Sequence, residues 1–70
     1  MYLTIKANEK SENVLVGFPF GDEQFLDGEV LNDDGTVTLV VDLNGEFYAT
    51  AAQEQHLNTN SDVISYKVAE

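Results

Sequence analysis

The chain contains no cysteine, no arginine and no tryptophan, and it has a single proline. Without cysteine there is no disulfide to hold a small fold together and no sign of an oxidising compartment. No apolar run approaches the roughly 20 residues that a membrane-spanning helix needs. The opening residues, MYLTIKANEK, also lack the charged start and apolar block of a secretory signal, so we expect a cytoplasmic protein.

Basic residues are scarce as well: thirteen acids stand against three lysines, giving a net charge of −10 over 70 residues. The lysines lie near the chain ends, at Lys6, Lys10 and Lys67. Phosphate backbones and anionic lipids are bound through cations, so neither direct nucleic-acid binding nor membrane binding is expected. A basic protein partner is expected instead, because complementary fields speed encounter. The alternative is that the acids serve solubility alone.

The length indicates one small β domain over residues 1–70, and 43% of the residues are apolar, which argues against disorder. Alternation of apolar and polar residues predicts strands at 2–7, 14–18, 25–31, 36–43, 46–51 and 62–68. A run of good helix formers predicts one short helical turn near residues 52–57.

Two turns set the predicted register. Asn32-Asp33-Asp34-Gly35 is a strong hairpin signal, and Asn44-Gly45 is the preferred dipeptide of a two-residue type I′ turn. The second turn pairs Val41 with Tyr48 and Leu39 with Thr50. Because both faces of this hairpin are partly apolar, we predict an all-β, antiparallel barrel of five or six strands, or a strongly curled sheet. The succession of short strands, two hairpins and a late helical turn resembles small SH3-like barrels. This resemblance implies a barrel fold, and it identifies no ligand.

No enzyme is expected. The single histidine, His56, lies in a polar helical turn without an orienting partner, and no serine sits in a nucleophile elbow. We predict no catalytic residue, no cofactor and no metal site. The segments 32–35 and 42–46 lack the ligand spacing of a calcium loop. Weak divalent-cation binding is kept as the third alternative, since hard cations favour clustered carboxylates.

The acids and the aromatic bend are the predicted partner-binding surface. Strand residues on one face repeat every 6.5–7 Å or so, which is comparable to the phosphate spacing of a nucleic acid. The sequence therefore favours an acidic protein-interaction module that binds a basic surface, in the manner of a DNA mimic that inhibits or modulates a nucleic-acid-binding protein. Such inhibitors are often encoded by phages and other mobile elements. The predicted contact residues are Asp22, Glu23, Asp27, Glu29, Asp33, Asp34, Asp42, Glu46, Phe18 and Phe20.

Phe18 and Phe20 flank Pro19, and they have two interpretations. They could form an aromatic anchor for a partner, or they could close one end of the core. The main functional alternative to charge-based binding is a structural or homo-oligomeric β domain that uses exposed strand edges, as a monomer or a homodimer.

Overall fold

Four strands and two helices make up the computed structural model, which describes all 70 residues. Their order along the chain is β1 (Tyr2–Ala7), α1 (Ser11–Val14), β2 (Phe25–Leu31), β3 (Val37–Asp42), α2 (Ala51–Thr59) and β4 (Val63–Ala69). The strands form one sheet in the order β2-β3-β1-β4, and every neighbouring pair is antiparallel. The element order β-α-β-β-α-β is that of the split β-α-β, or ferredoxin-like, motif.

The predicted antiparallel sheet is confirmed, but the barrel of five or six strands is not. The sheet has four strands and is open, because β2 and β4 each pair on one side only. The helical turn expected near residues 52–57 is confirmed as the longer helix α2. No helix is long and apolar enough to cross a membrane.

The strand predicted at residues 14–18 is wrong. Its first residue ends the single helical turn α1, where the Leu15 amide donates to the Ser11 carbonyl over 2.8 Å. Gly17 then takes a left-handed conformation with φ +74°, which reverses the chain direction. Val14 and Phe18 are buried while Val16 is 69% exposed. The alternation of apolar residues therefore arises from a helical turn followed by a bend.

The strand predicted at residues 46–51 is also wrong, although the turn before it is right. Asn44 and Gly45 have φ values of +52° and +85°, and the Glu46 amide donates to the Leu43 carbonyl over 3.2 Å, as in a type I′ turn. The place beside β3 that the returning strand would fill is taken by β1. The predicted pairs of Val41 with Tyr48 and Leu39 with Thr50 consequently do not form.

The first predicted hairpin is confirmed. The Gly35 amide donates to the Asn32 carbonyl over 3.1 Å, and the Asn32 amide donates to the Thr36 carbonyl over 2.8 Å. Gly35 has φ +87°, so the loop is a three-residue connection with a left-handed glycine. Leu31 pairs with Val37 next to it.

The core lies between one face of the sheet and the segments that cover it. Leu3, Ile5, Leu39 and Val41 point from the central strands into this layer and are fully buried. Leu57 reaches it from α2. The covering segments also contribute Val14 and Phe18. All the helical elements pack on the same face, so the opposite face of the sheet stays uncovered.

Candidate partner-binding site

The predicted acidic residues do not gather on one face of the molecule. Asp22, Glu23, Asp42 and Glu46 belong to the end of the sheet where β2 begins and β3 ends. The opposite end, at the tip of the β2–β3 hairpin, carries Asp33 and Asp34. The strand between these ends carries Asp27, at a bulge, and Glu29.

The exposed carboxylate of Glu29 is engaged in hydrogen bonds within the chain. Its position opposite Leu39 places it on the side of the sheet that the helices cover. One carboxylate oxygen accepts a hydrogen bond from the Ser11 amide over 3.0 Å, and the other accepts from the Ser11 hydroxyl over 2.8 Å. These two bonds, with a smaller contribution from Lys10, hold the pKa of Glu29 below its ordinary value. The contact ties α1 to β2.

Asp34 has a local role as well. Its carboxylate accepts hydrogen bonds from the hydroxyl and the amide of Thr36, over 2.6 and 3.0 Å, and these bonds lower its pKa. The Lys6 ammonium lies 3.8 Å away in the only ion pair of the chain, and both side chains are about half exposed. These bonds stabilise the turn of the β2–β3 hairpin. The carboxylate of Asp33, in the same turn, makes no hydrogen bond.

At the other end, Asn44 draws two loops together. Its amide nitrogen donates to Asp42 Oδ1 over 2.7 Å, and its side-chain Nδ2 donates to Glu23 Oε2 over 3.1 Å. The same Nδ2 lies 3.4 Å from the Asp22 carbonyl oxygen. Glu23 has a left-handed backbone with φ +62°, a conformation that this tie helps to hold. The type I′ turn thereby fixes the loop that leads into β2.

A cleft of about 420 Å³ opens between these two loops. We call it the acidic cleft, and its lining residues are Gly21, Asp22, Gln24, Leu43, Asn44, Glu46, Tyr48 and Thr50. The carboxylates of Asp22 and Glu46 make no hydrogen bond within the chain, in contrast to those of Glu29 and Asp34. They are therefore free to meet a partner.

A partly buried amide network of Gln24 and Gln53 supports the cleft from below. Gln24 Nε2 donates to the Leu43 carbonyl over 3.2 Å, and Gln24 Oε1 accepts from Gly21 N and from Gln53 Nε2, each over 2.8 Å. Gln53 is 1% exposed and also donates to the Pro19 carbonyl over 3.0 Å. No buried side-chain polar atom in the chain lacks a partner. The cleft thus rests on a fully satisfied, ordered base.

Aromatic side chains surround this end of the molecule. Phe47 is 73% exposed and Tyr48 is 70% exposed, next to each other in the loop between β3 and α2. Phe20 is 40% exposed, directly before the cleft residue Gly21. Phe18 is 6% exposed and packs edge-to-face on Phe20 and on His56, so it closes the core, the second of its two interpretations.

Sequence reasoning missed Phe47 and Tyr48 as contact residues because it placed them in a strand. A signal against that strand was present in Thr50-Ala51-Ala52-Gln53, which matches the capping-box pattern that begins a helix. In the structure the Gln53 amide donates to Thr50 Oγ1 over 3.1 Å, and the Thr50 amide donates to Gln53 Oε1 over 3.0 Å. A helix that begins at Ala51 leaves residues 46–49 as a loop.

His56 is half-buried and structural. Its Nε2 lies 2.8 Å from the Val14 carbonyl oxygen, which also accepts a hydrogen bond from Asn60 Nδ2 over 3.2 Å. Because the carbonyl can only accept, Nε2 carries the proton. This contact fastens α2 to α1. No group of three or more His, Asp or Glu side chains is arranged to hold a metal ion.

Comparisons of the chain with protein-family models, with curated proteins and with solved structures gave no match. A shared fold would in any case not assign a function, since one fold hosts many. Function is therefore inferred from the geometry and charge of the site.

Proposed function

We propose that this chain is an acidic protein-interaction module that binds a basic protein, and that the acidic cleft receives a lysine or arginine side chain of that partner. The observation that carries the proposal is the convergence of two unengaged carboxylates, Asp22 and Glu46, with the exposed ring of Tyr48 in one cleft.

The chemistry of the cleft suits a guanidinium or an ammonium group. A carboxylate binds a guanidinium through two parallel hydrogen bonds, and an aromatic face attracts the same cation. The loops that carry Asp22 and Glu46 are tied through Asn44, so little ordering cost remains to be met on binding. Phe47 and Phe20 add exposed apolar surface nearby, of the kind that dominates interface energetics.

The charge distribution also supports the acidic cleft as the binding surface. None of the three lysines lines the acidic cleft. Lys6 and Lys67 stand on β1 and β4, and Lys10 precedes α1. A net charge of −10 steers a basic partner towards the molecule, and the cleft fixes where the partner's cation is held.

The proposal extends to one class of basic partner, the nucleic-acid-binding proteins. The basic groove of such a protein normally receives phosphates. The module would then act as an inhibitor or modulator by occupying that groove. The net charge supports this form of the proposal. The carboxylates are divided between the two ends of the sheet and do not follow one strand. Imitation of a nucleic acid would therefore depend on the negative field of the whole molecule.

The test compares two double variants of equal net charge. Asp22→Asn with Glu46→Gln removes the carboxylates of the acidic cleft, while Glu12→Gln with Glu54→Gln removes two exposed helix carboxylates that make no hydrogen bond. The probe is a fluorescent Gly-Arg-Gly-Arg-Gly peptide, followed by anisotropy and by NMR shift mapping. We expect the cleft variant to bind at least about 10-fold more weakly and the control to change less than about 2-fold.

Wild-type binding is also expected to weaken between about 50 and 500 mM salt, because the Debye length falls from about 14 to about 4 Å. Equal losses in the two variants, or shifts spread over the whole surface, would contradict the cleft. For the partner class, a protein captured from lysate by the wild type but not by the cleft variant should be released by added duplex DNA. Release by salt but not by DNA would remove the nucleic-acid form of the proposal.

A further inference from the structure

The sheet face turned away from the helices, here called the open face, has three outward residues on each strand. The pairing registers arrange them in three rows across β4, β1, β3 and β2. The rows are Ala69-Tyr2-Asp42-Phe25, then Lys67-Thr4-Val40-Gly28, then Ser65-Lys6-Thr38-Val30.

Apolar groups and charges are unevenly distributed over this face. Phe25 is 51% exposed and Val30 is 57% exposed, both on β2. Asp42 adds a carboxylate to the same half of the face, on β3. The other half, on β1 and β4, carries Lys6 and Lys67, two of the three cations of the chain. One half thus carries apolar side chains and one carboxylate, and the other carries two lysines, of which Lys6 is also paired with Asp34.

We propose that the open face binds the open face of a second copy of this chain, about a two-fold axis parallel to the strands. Rotation about that axis lays the β1–β4 half of each copy over the β3–β2 half of the other. The half that carries Lys6 and Lys67 then faces the half that carries Phe25, Val30 and Asp42 in both directions, with Lys67 opposite Gly28 and Lys6 opposite Thr38. A two-fold axis across the strands would instead lay β4 over β4 and bring Lys67 against its own counterpart, which repulsion disfavours. This proposal does not depend on the proposed function.

The rows fit this arrangement at the level of single residues. Lys67 lies over Gly28 of the second copy, where the missing side chain leaves room for the aliphatic stem of the lysine. Thr4 lies over Val40, and Ser65 lies over Val30. Two antiparallel sheets packed in this way stand about 10 Å apart with their strands nearly aligned.

The size of the face sets the strength of the contact. At the spacing of a β-sheet, the three rows cover about 400 Å² per copy, so pairing would bury about 800 Å² in total. Contacts of this size are weak and reversible. We therefore expect a dissociation constant on the order of 0.1 mM, with association strengthened by moderate salt because screening reduces the repulsion between two chains of net charge −10.

The first test uses neighbouring residues of β2 that lie on opposite faces. Val30 belongs to the open face, whereas Leu31 pairs with Val37 on the helix side and is 70% exposed. Sedimentation equilibrium is measured from about 10 μM to 2 mM at 150 mM NaCl, with circular dichroism to confirm that each variant folds. We expect Val30→Asp to weaken dimerisation at least about 10-fold and Leu31→Asp, with the same change in charge, to weaken it less than about 2-fold.

A second pair tests the charge pattern. Lys67→Glu and Lys10→Glu both give a net charge of −12, but Lys10 lies outside the open face. We expect only Lys67→Glu to weaken the dimer beyond the common effect of added charge. The proposal is overturned by a wild type that stays monomeric up to 2 mM, by equal effects within either pair, or by loss of the dimer in Leu31→Asp alone.

Discussion

Gln53 shows how much of this small fold depends on one polar side chain. Glutamine is a residue that usually stays exposed, yet this one is 1% exposed, and its amide joins three separate segments. Its oxygen accepts from the Thr50 amide at the start of α2, and its nitrogen donates to Pro19 and to Gln24. Composition and periodicity carry no sign of this role, because the partners lie 29 and 34 residues away.

Replacement of Gln53 by alanine is expected to lower the free energy of unfolding by about 2–3 kcal/mol. The change leaves the Pro19 carbonyl and the Thr50 amide without their bonds and opens a cavity beneath the acidic cleft. Gln55→Ala, on the exposed side of the same helix, should stay within about 0.5 kcal/mol of the wild type. Urea unfolding followed by circular dichroism measures both. If the free energy of unfolding fell by similar amounts in the two variants, the hydrogen bonds of Gln53 would contribute no measurable stability beyond the effect of a glutamine-to-alanine change in a helix.

At the scale of elements, the local sequence carries a signal where an element depends on its own residues, although the signal at the start of α2 was overridden by the strand predicted at 46–51. The β2–β3 hairpin and the start of α2 are marked by Asp33-Asp34-Gly35 and by Thr50-x-x-Gln53, and both form. The Asn44-Gly45 turn also forms, but a type I′ turn makes a hairpin only if the place beside the first strand is free. That place is occupied by β1, and pairing between segments so distant in the chain is not visible in a local pattern.

The short helix α1 is the element least able to stand alone, since one helical turn cannot repay its nucleation cost. The N-cap residue of α1, Lys10, offers no side-chain hydrogen bond. Glu29 takes over that task from a neighbouring strand by accepting two hydrogen bonds from Ser11. The carboxylate must be ionised to do so well, which links the position of α1 to pH.

The pH dependence follows from the direction of the pKa shift. Because the folded-state pKa of Glu29 lies below its ordinary value near 4.5, its stabilising contribution is complete above that value and is lost as pH falls through the folded pKa. Wild type should therefore be more stable than Glu29→Gln at pH 7, and the difference should shrink as the pH falls below 4.5. Urea midpoints measured at pH 7 and at a series of pH values below 4.5 test this. The side chain of Asp27 lies on the same strand and makes no hydrogen bond, so wild type should not be more stable than Asp27→Asn at pH 7. If the two variants showed the same dependence of stability on pH, the link between ionisation of Glu29 and stability would be contradicted.

For the whole molecule, the sequence predicts the amount of charge but not its arrangement. Lys6 and Lys67 lie at opposite ends of the chain, yet they meet on adjacent strands because the first and last strands pair. Acids that are close in sequence separate in the same way: Asp34 and Asp42 stand at opposite ends of β3. The open face and the acidic cleft are both products of this long-range pairing, which is why most of the acids predicted to contact a partner lie at two separate ends of the sheet.

Self-repulsion should make the stability of the whole molecule depend on salt. Thirteen acids are opposed by three lysines, and the attractions that salt would weaken are few: the exposed ion pair of Lys6 with Asp34 and the weaker attraction of Lys10 to Glu29. The Debye length is about 30 Å at 10 mM salt and about 6 Å at 300 mM, while the radius of gyration is 11.0 Å. Repulsion thus spans the whole molecule only at the lower salt concentration.

The thermal midpoint is therefore expected to rise by about 5 °C between 10 and 300 mM NaCl, which corresponds to about 1 kcal/mol for a domain of this size. Chloride is used because sulfate would also strengthen apolar burial. Scans at about 5 μM protein keep the chain well below the concentration at which the open faces are expected to pair, so association does not contribute. The variant with Glu12→Gln and Glu54→Gln, at net charge −8, should gain less from salt. A midpoint that falls with NaCl would show that local attractions outweigh the repulsion of the excess acids.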